Sequence, residues 1–251
     1  MGGGGVTAPD GFDTLSGDDP EHGYETYAAY AAAHDDPHFS DWLRARSESA
    51  WTAATEHRFV EEMAAGTIDD DVFRRYLVQD YAFVTTLADL VGFAAGDAPT
   101  VGAKRELAGF LGTLTDEEDD YFERAFDALS VSKSDRDSPE KTPTTEAFED
   151  LLSRAAREGG YAESLSALLA VEWIYCTWGV EHADAAPDDF YLAEWIDLHA
   201  VDSFETFVSW LRTELDREGP ELSPRREARV ARHFRRAVDL EAAFFDAAYE
   251  G

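Results

Sequence analysis

From Phe39 to its end, this 251-residue chain repeats apolar residues at helical spacing, and no alternating run is long enough to build a sheet. Such a chain can bury its apolar surface only by packing helix on helix. The clearest stretch runs from about Asp71 to Ala95, where Phe73, Tyr76, Leu77, Tyr81, Val84, Leu87, Leu90 and Val91 fall at helical spacing. Before it, Gly66-Thr67-Ile68-Asp69-Asp70 joins a stop to an N-cap signal, and Gly96-Asp97-Ala98-Pro99 ends it. Further helices are expected near Val101–Leu114, Asp116–Leu129, Thr145–Arg157, Ala162–His182, Asp189–His199, Ser203–Asp216 and Arg225–Ala248. Trp42–Glu56 and Phe59–Ala65 read as one helix or a broken pair. Ser132–Pro143 reads as a polar surface loop, because helical amphipathy resumes directly after it. The expectation is a single all-α bundle over residues 38–251. An acidic, flexible extension over residues 1–37 precedes it, with room for a short helix at Tyr24–Ala33.

Fifty-three acidic residues against 21 basic ones give a net charge of -32, and only three of the cations are lysines, Lys104, Lys133 and Lys141. Such a surface repels nucleic-acid phosphates and anionic membranes. The acids are spread along the chain, which fits a solvated coat on a cytoplasmic protein of a salt-loving organism better than a binding tail. High salt would screen their mutual repulsion. Cys176 is the single cysteine, so no intrachain disulfide or thiolate metal cluster is expected. The Gly-rich start lacks the basic and apolar regions of a signal peptide.

Against this acidic background one carboxylate stands out. Glu172 sits inside Leu165–Val180, a stretch otherwise free of charge and too short to span a bilayer. Its helical neighbours are Leu168, Leu169, Tyr175 and Cys176, so the face it shares is expected to be buried. A buried carboxylate tends toward a raised pKa unless partners hold its charge, and a group displaced in this way is a catalytic candidate. Glu241 has Phe244 and Phe245 at i+3 and i+4, which turns it inward too.

Three segments carry a family resemblance. The first is Phe59-Val60, Gly66-Thr67-Ile68 and the helix Phe73-Arg74-Arg75-Tyr76-Leu77-Val78-Gln79-Asp80-Tyr81. The second is Ala167-Leu168-Leu169, Trp173-Ile174-Tyr175 and Gly179, followed by Trp195-Ile196 and Phe204. The third is Phe234, Glu241 and Phe244-Phe245. Together they resemble the TenA (thiaminase II) family over roughly residues 39–248. The resemblance implies the haem-oxygenase-like helical bundle, with hydrolysis at the exocyclic methylene of a 4-amino-2-methylpyrimidine. It implies no added cofactor and no metal, a small-molecule aminopyrimidine as partner, and a homo-oligomer.

Where the better-known branch of that family has its nucleophilic cysteine, this chain has Val171, with Glu172 beside it. Cys176 lies five residues on and faces another way on the helix, as an inert buried thiol. The pattern resembles the glutamate-type (TenA_E) branch, linked to salvage of aminomethyl- or formylaminomethyl-pyrimidine rather than to thiamin cleavage. Family pocket tyrosines map onto Phe83, Phe148 and His199, which keep a stacking surface and lose hydroxyls.

The resemblance implies these roles. Asp80 would grip the ring nitrogen and 4-amino group of the pyrimidine in a charge-assisted pair. Glu172 and Glu241 would do the acid–base work at the cleaved C–N bond, with Tyr175 one turn from Glu172 in hydrogen-bonding reach. Alternatives remain: Asp80 as a helix-surface acid, Glu241 salt-bridged to Arg235 or Arg236, and Tyr175 as a core aromatic. The whole protein could also be a non-catalytic pyrimidine binder, or a haem binder ligated by His57 or His182. A di-iron centre needs Glu-x-x-His pairs, and none of the seven histidines has a glutamate three residues before it.

Overall fold

The computed structural model describes residues 24–250, so most of the expected extension, through residue 23, lies outside the described residues. Among them are thirteen α-helices and one short 3₁₀ turn, Gly219–Glu221, with no strand. In chain order the helices are α1 (Tyr27–Ala33), α2 (Phe39–Ala45), α3 (Glu48–Thr55), α4 (Arg58–Ala64), α5 (Asp70–Asp97), α6 (Val101–Thr115), α7 (Glu117–Ala128), α8 (Lys133–Asp137), α9 (Pro143–Glu158), α10 (Tyr161–Glu181), α11 (Phe190–Ala200), α12 (Asp202–Glu218) and α13 (Pro224–Tyr249). None is long and apolar enough to cross a membrane.

Helix α10 is the axis of the bundle. It carries the apolar stretch singled out above and is buried on nearly every side. A helix apolar all round is stable only when other helices surround it. Here α3, α5, α9, α11, α12 and α13 do so. The two longest helices, α5 and α13, are amphipathic and turn one face to this axis.

Local chemistry explains where the helices start. Side chains of Asp69, Thr100, Ser132 and Thr142 accept backbone N–H groups in the first turns of α5, α6, α8 and α9. Trp42–Ala65, read as one helix or a pair, is three helices. Ser47 leaves helical geometry between α2 and α3, and its hydroxyl donates back to the Leu43 carbonyl. His57 then caps α4, its Nδ1 accepting from the Phe59 N–H at 3.1 Å. The expected polar loop at 132–143 holds the one-turn helix α8. Its Arg136 side chain reaches Asp127 at 2.7 Å and Glu123 at 3.2 Å.

Residues 24–37 are fastened to the bundle. The Trp42 indole donates to the Tyr24 carbonyl at 2.9 Å, and the Tyr27 N–H donates to Glu227 of α13 at 3.3 Å. The Tyr27 ring packs edge-on against Phe39 with centroids 5.2 Å apart.

One glycine sets the position of α11 on α10. A Cβ at Gly179 would lie 2.8 Å from the Cβ of His199 and closer still to the His199 carbonyl. The two backbones therefore meet with only a hydrogen atom between them. Gly179→Ala is expected to force α11 outward at a cost of about 1–3 kcal/mol, the usual range for overpacking. Thermal unfolding in high salt checks this. A melting temperature equal to that of the parent would show that α11 is not seated by this contact.

Candidate active site

Four helices surround a small cavity beside α10. Helix α5 contributes Asp80, Phe83, Val84 and Leu87, and α6 contributes Leu114. Helix α10 contributes Val171, Glu172 and Tyr175, and α11 contributes Trp195 and His199. The cavity is small, about 30 Å³, and partly open to solvent. The helical repeat accounts for the selection: Asp80, Phe83, Val84 and Leu87 stand on one stripe of α5, and Val171, Glu172 and Tyr175 on one stripe of α10. No lysine or arginine is among the lining residues.

Five of the seven residues expected at a site therefore line one cavity: Asp80, Phe83, Glu172, Tyr175 and His199. The other two stand behind it. Phe148 of α9 packs on Phe83 with ring centroids 4.7 Å apart, and both rings contact Phe244. Glu241 of α13 is 1% exposed, and no protein group hydrogen-bonds its Oε1. The salt bridge considered for it is not formed; Arg235 faces Asp239 instead, at 4.0 Å.

Burial dominates the electrostatics. Glu241 is held well above the usual carboxylate range, first by desolvation and then by the negative charge of Asp80. Both effects favour its protonated form. Asp80 is 5% exposed, so the alternative of a helix-surface acid is ruled out. Glu172, also 5% exposed, occupies the buried face expected of it.

Tyr175 is hydroxyl-bonded to Tyr76 at 2.8 Å, and both phenols are held well above 10, chiefly by burial. The anionic fields of Asp80 and Glu241 reinforce the shift in each. Tyr76 was not singled out from the sequence as a site residue. The signal for it was its place one turn before Asp80 on α5. Trp195 was also missed; it lines the cavity, and its buried indole N–H has no protein acceptor.

His199 differs from the carboxylates. Its Nδ1 hydrogen-bonds the Trp195 carbonyl at 2.7 Å, and burial holds its pKa down at about 4. A carbonyl only accepts, so Nδ1 carries the hydrogen and the neutral ring keeps its lone pair on Nε2. The ring stands between Tyr175, Trp178 and Trp195.

The residues set aside earlier stay outside the cavity. Burial pushes the Cys176 thiol up to about 11, and it is not among the lining residues. His57 caps α4 with one nitrogen and lies 3.2 Å from Asp246 with the other. His182 lies 3.9 Å from Glu61. Among the described residues no group of three or more His, Cys, Asp or Glu side chains is arranged to hold a metal.

An all-α bundle with carboxylates and aromatic rings converging on one small pocket is the setting of a small-molecule site. The chain belongs to the TENA/THI-4/PQQC family, whose sequence profile matches residues 44–251. It is 26% identical over 213 residues to the aminopyrimidine aminohydrolase of Halalkalibacterium halodurans, covering 84% of this chain and 95% of that protein. It is 24% identical over 211 residues to the aminopyrimidine aminohydrolase of Bacillus subtilis, covering 84% and 89%. Among solved structures it is similar to the TenA homologue of P. horikoshii OT3, with TM-score 0.75 and 24% identity over 85% of this chain and 99% of that one. A TenA homologue from Pyrococcus furiosus superposes with TM-score 0.76 at 23% identity, covering 84% and 100%. The fold is the haem-oxygenase-like bundle that the sequence resemblance implied.

The His199 shift has a consequence for stability. Between its ordinary 6.5 and about 4, the unfolded chain binds a proton that the folded one refuses, so stability rises with pH across that window. The linkage is worth about 3 kcal/mol, lost as pH falls from 6.5 to 4. In His199→Phe the acid limb of the unfolding free energy, measured by denaturant titration at each pH, should be shallower by about that amount. An unchanged limb would mean that the imidazole is not held neutral.

Proposed function

We propose that the protein is an aminopyrimidine hydrolase of thiamin salvage, replacing the amine of a 5-aminomethyl-pyrimidine with hydroxyl. The observation that carries this reading is the meeting of Asp80, Glu172 and the aromatic residues Phe83, Tyr175 and Trp195 in one small cavity, with the buried Glu241 electrostatically coupled to Asp80. The family membership and the aminopyrimidine aminohydrolases among its relatives support the same reaction.

The pyrimidine ring lies between aromatic walls, and Asp80 accepts from its amidine edge, favouring the protonated ring. Glu172 takes a proton from a water molecule as the water oxygen bonds to the methylene carbon. The C–N bond breaks, and the nitrogen leaves with the bonding pair as ammonia. Glu241 supplies a proton where the amine enters unprotonated. One water is consumed, and hydroxymethyl-pyrimidine and ammonia are released. With an N-formylated substrate the same water attacks the formyl carbon instead, releasing formate. The reading gives Glu172 the part of base and Glu241 the part of acid, the division that a pair of carboxyl groups in different surroundings can supply.

The test is product release in high salt from 4-amino-5-aminomethyl-2-methylpyrimidine, its N-formyl derivative and thiamin. Glu172→Gln should lower kcat by about 100-fold or more, the usual worth of a general base. Asp80→Asn should raise KM by about tenfold or more, since a charge-assisted bidentate pair is lost. Turnover and affinity left intact in Asp80→Asn would refute the pocket assignment. A folded wild-type protein that turns over none of the three would point to a pyrimidine-binding protein.

A further inference from the structure

Two cavities meet at His199. The inner one is the pocket described above. The outer one is a bowl of about 320 Å³ between α6, α11 and α12, and His199 lines both. On α6 the neighbours Thr113 and Leu114 divide in the same way, Thr113 lining the bowl and Leu114 the inner pocket. The bowl has an aromatic wall. The rings of Phe110 and Phe207 stack with centroids 4.1 Å apart, and Phe204 stands edge-on to His199 at 5.4 Å.

His199 is fixed at this junction from two sides. Gly179 admits its backbone against α10, and the Trp195 carbonyl anchors Nδ1. The neutral ring therefore offers Nε2 as an acceptor. Where the family pattern has a tyrosine, able both to donate and to accept, this chain has a group that can only accept. An acceptor at that point discriminates between substituents by whether they carry hydrogen on nitrogen. A site built to hydrogen-bond a donor rejects the analogue that lacks one.

We infer that the bowl is the outer subsite that receives the 5-substituent of the pyrimidine, and that His199 selects substituents bearing an N–H. This rests on the aminopyrimidine reading of the inner pocket. An ammonium or a formamide nitrogen donates to Nε2. The thiazolium nitrogen of thiamin carries no hydrogen and gains nothing there. Glu106, which also lines the bowl, adds a favourable charge for an ammonium group.

The experiment compares kcat/KM for the aminomethyl and N-formylaminomethyl pyrimidines with that for thiamin, in high salt. Thiamin is scored as a competitive inhibitor if it is not cleaved. Wild type should favour the two N–H-bearing compounds. His199→Phe, which keeps ring area and removes the acceptor, should narrow that preference by about tenfold, the worth of one hydrogen bond. Ser203→Trp, on the exposed bowl wall, fills the outer space without touching His199 chemistry. It should lower kcat/KM for the N-formyl compound about tenfold relative to the aminomethyl compound. Equal proportional changes for all three compounds in both variants, with the proteins folded, would overturn the subsite. If His199→Phe does not fold, the Ser203→Trp ratio decides alone. Absence of turnover by wild type would remove the aminopyrimidine reading itself, and the subsite with it.

Discussion

Everything in this bundle is arranged around carboxyl groups buried in its driest region. Asp80, Glu172 and Glu241 come from α5, α10 and α13 and are each at most 5% exposed. A buried carboxylate near another negative charge has its pKa raised. Burial first, and then the Asp80 charge, raise the Glu241 pKa in this way. Burial cost of this kind is paid by the rest of the fold. The apolar girdle around α10 offsets it, with Trp178, Trp195, Tyr76 and Phe245 packed about the same axis.

The acids of the surface obey different physics. The arginines that could neutralise them are few, and the structure uses several as fasteners between distant segments. Arg212 ties α12 to Asp41 of α2 at 2.7 Å, and Arg226 of α13 holds the buried Glu163 of α10 at 2.6 Å. Burial raises the Glu163 pKa, but the Arg226 hydrogen bond and charge outweigh it and leave the group lowered. Glu163 and Glu241 are equally buried and their pKa values shift in opposite directions. The difference is a pair of guanidiniums, Arg226 and Arg229, beside Glu163.

The all-helical class and the long helices α5, α10 and α13 were legible because hydrophobic period and cap residues agree there. The 39–65 region was read too simply, since Ser47 and His57 break it through side-chain bonds to the backbone that no apolar period reveals. The candidate residues Asp80, Glu172 and Tyr175 were legible from helical spacing and resemblance. The hydroxyl pair of Tyr76 and Tyr175 was not, because it joins residues 99 apart in sequence. The division of labour at His199 was equally hidden. It depends on which nitrogen meets the Trp195 carbonyl, a matter of tertiary placement.

The chemistry of the pocket also constrains its nucleophile. Val171 lines the cavity next to Glu172, while Cys176 does not and is held as a thiol by burial. A thiol near 11 offers almost no thiolate at neutral pH, and a valine offers no nucleophile at all. Of the lining side chains, Tyr175 is held protonated, and burial holds His199 down at about 4, a weak base. That leaves carboxylates, which are weak nucleophiles and effective bases. On the proposed reading, then, the attacking group is water, and the pocket's task is to take one proton from it. A covalent route through carbon–sulfur chemistry has no residue in this cavity to start from. On that reading, valine at the position where the resemblance expects a cysteine leaves the acid–base pair to carry the whole reaction.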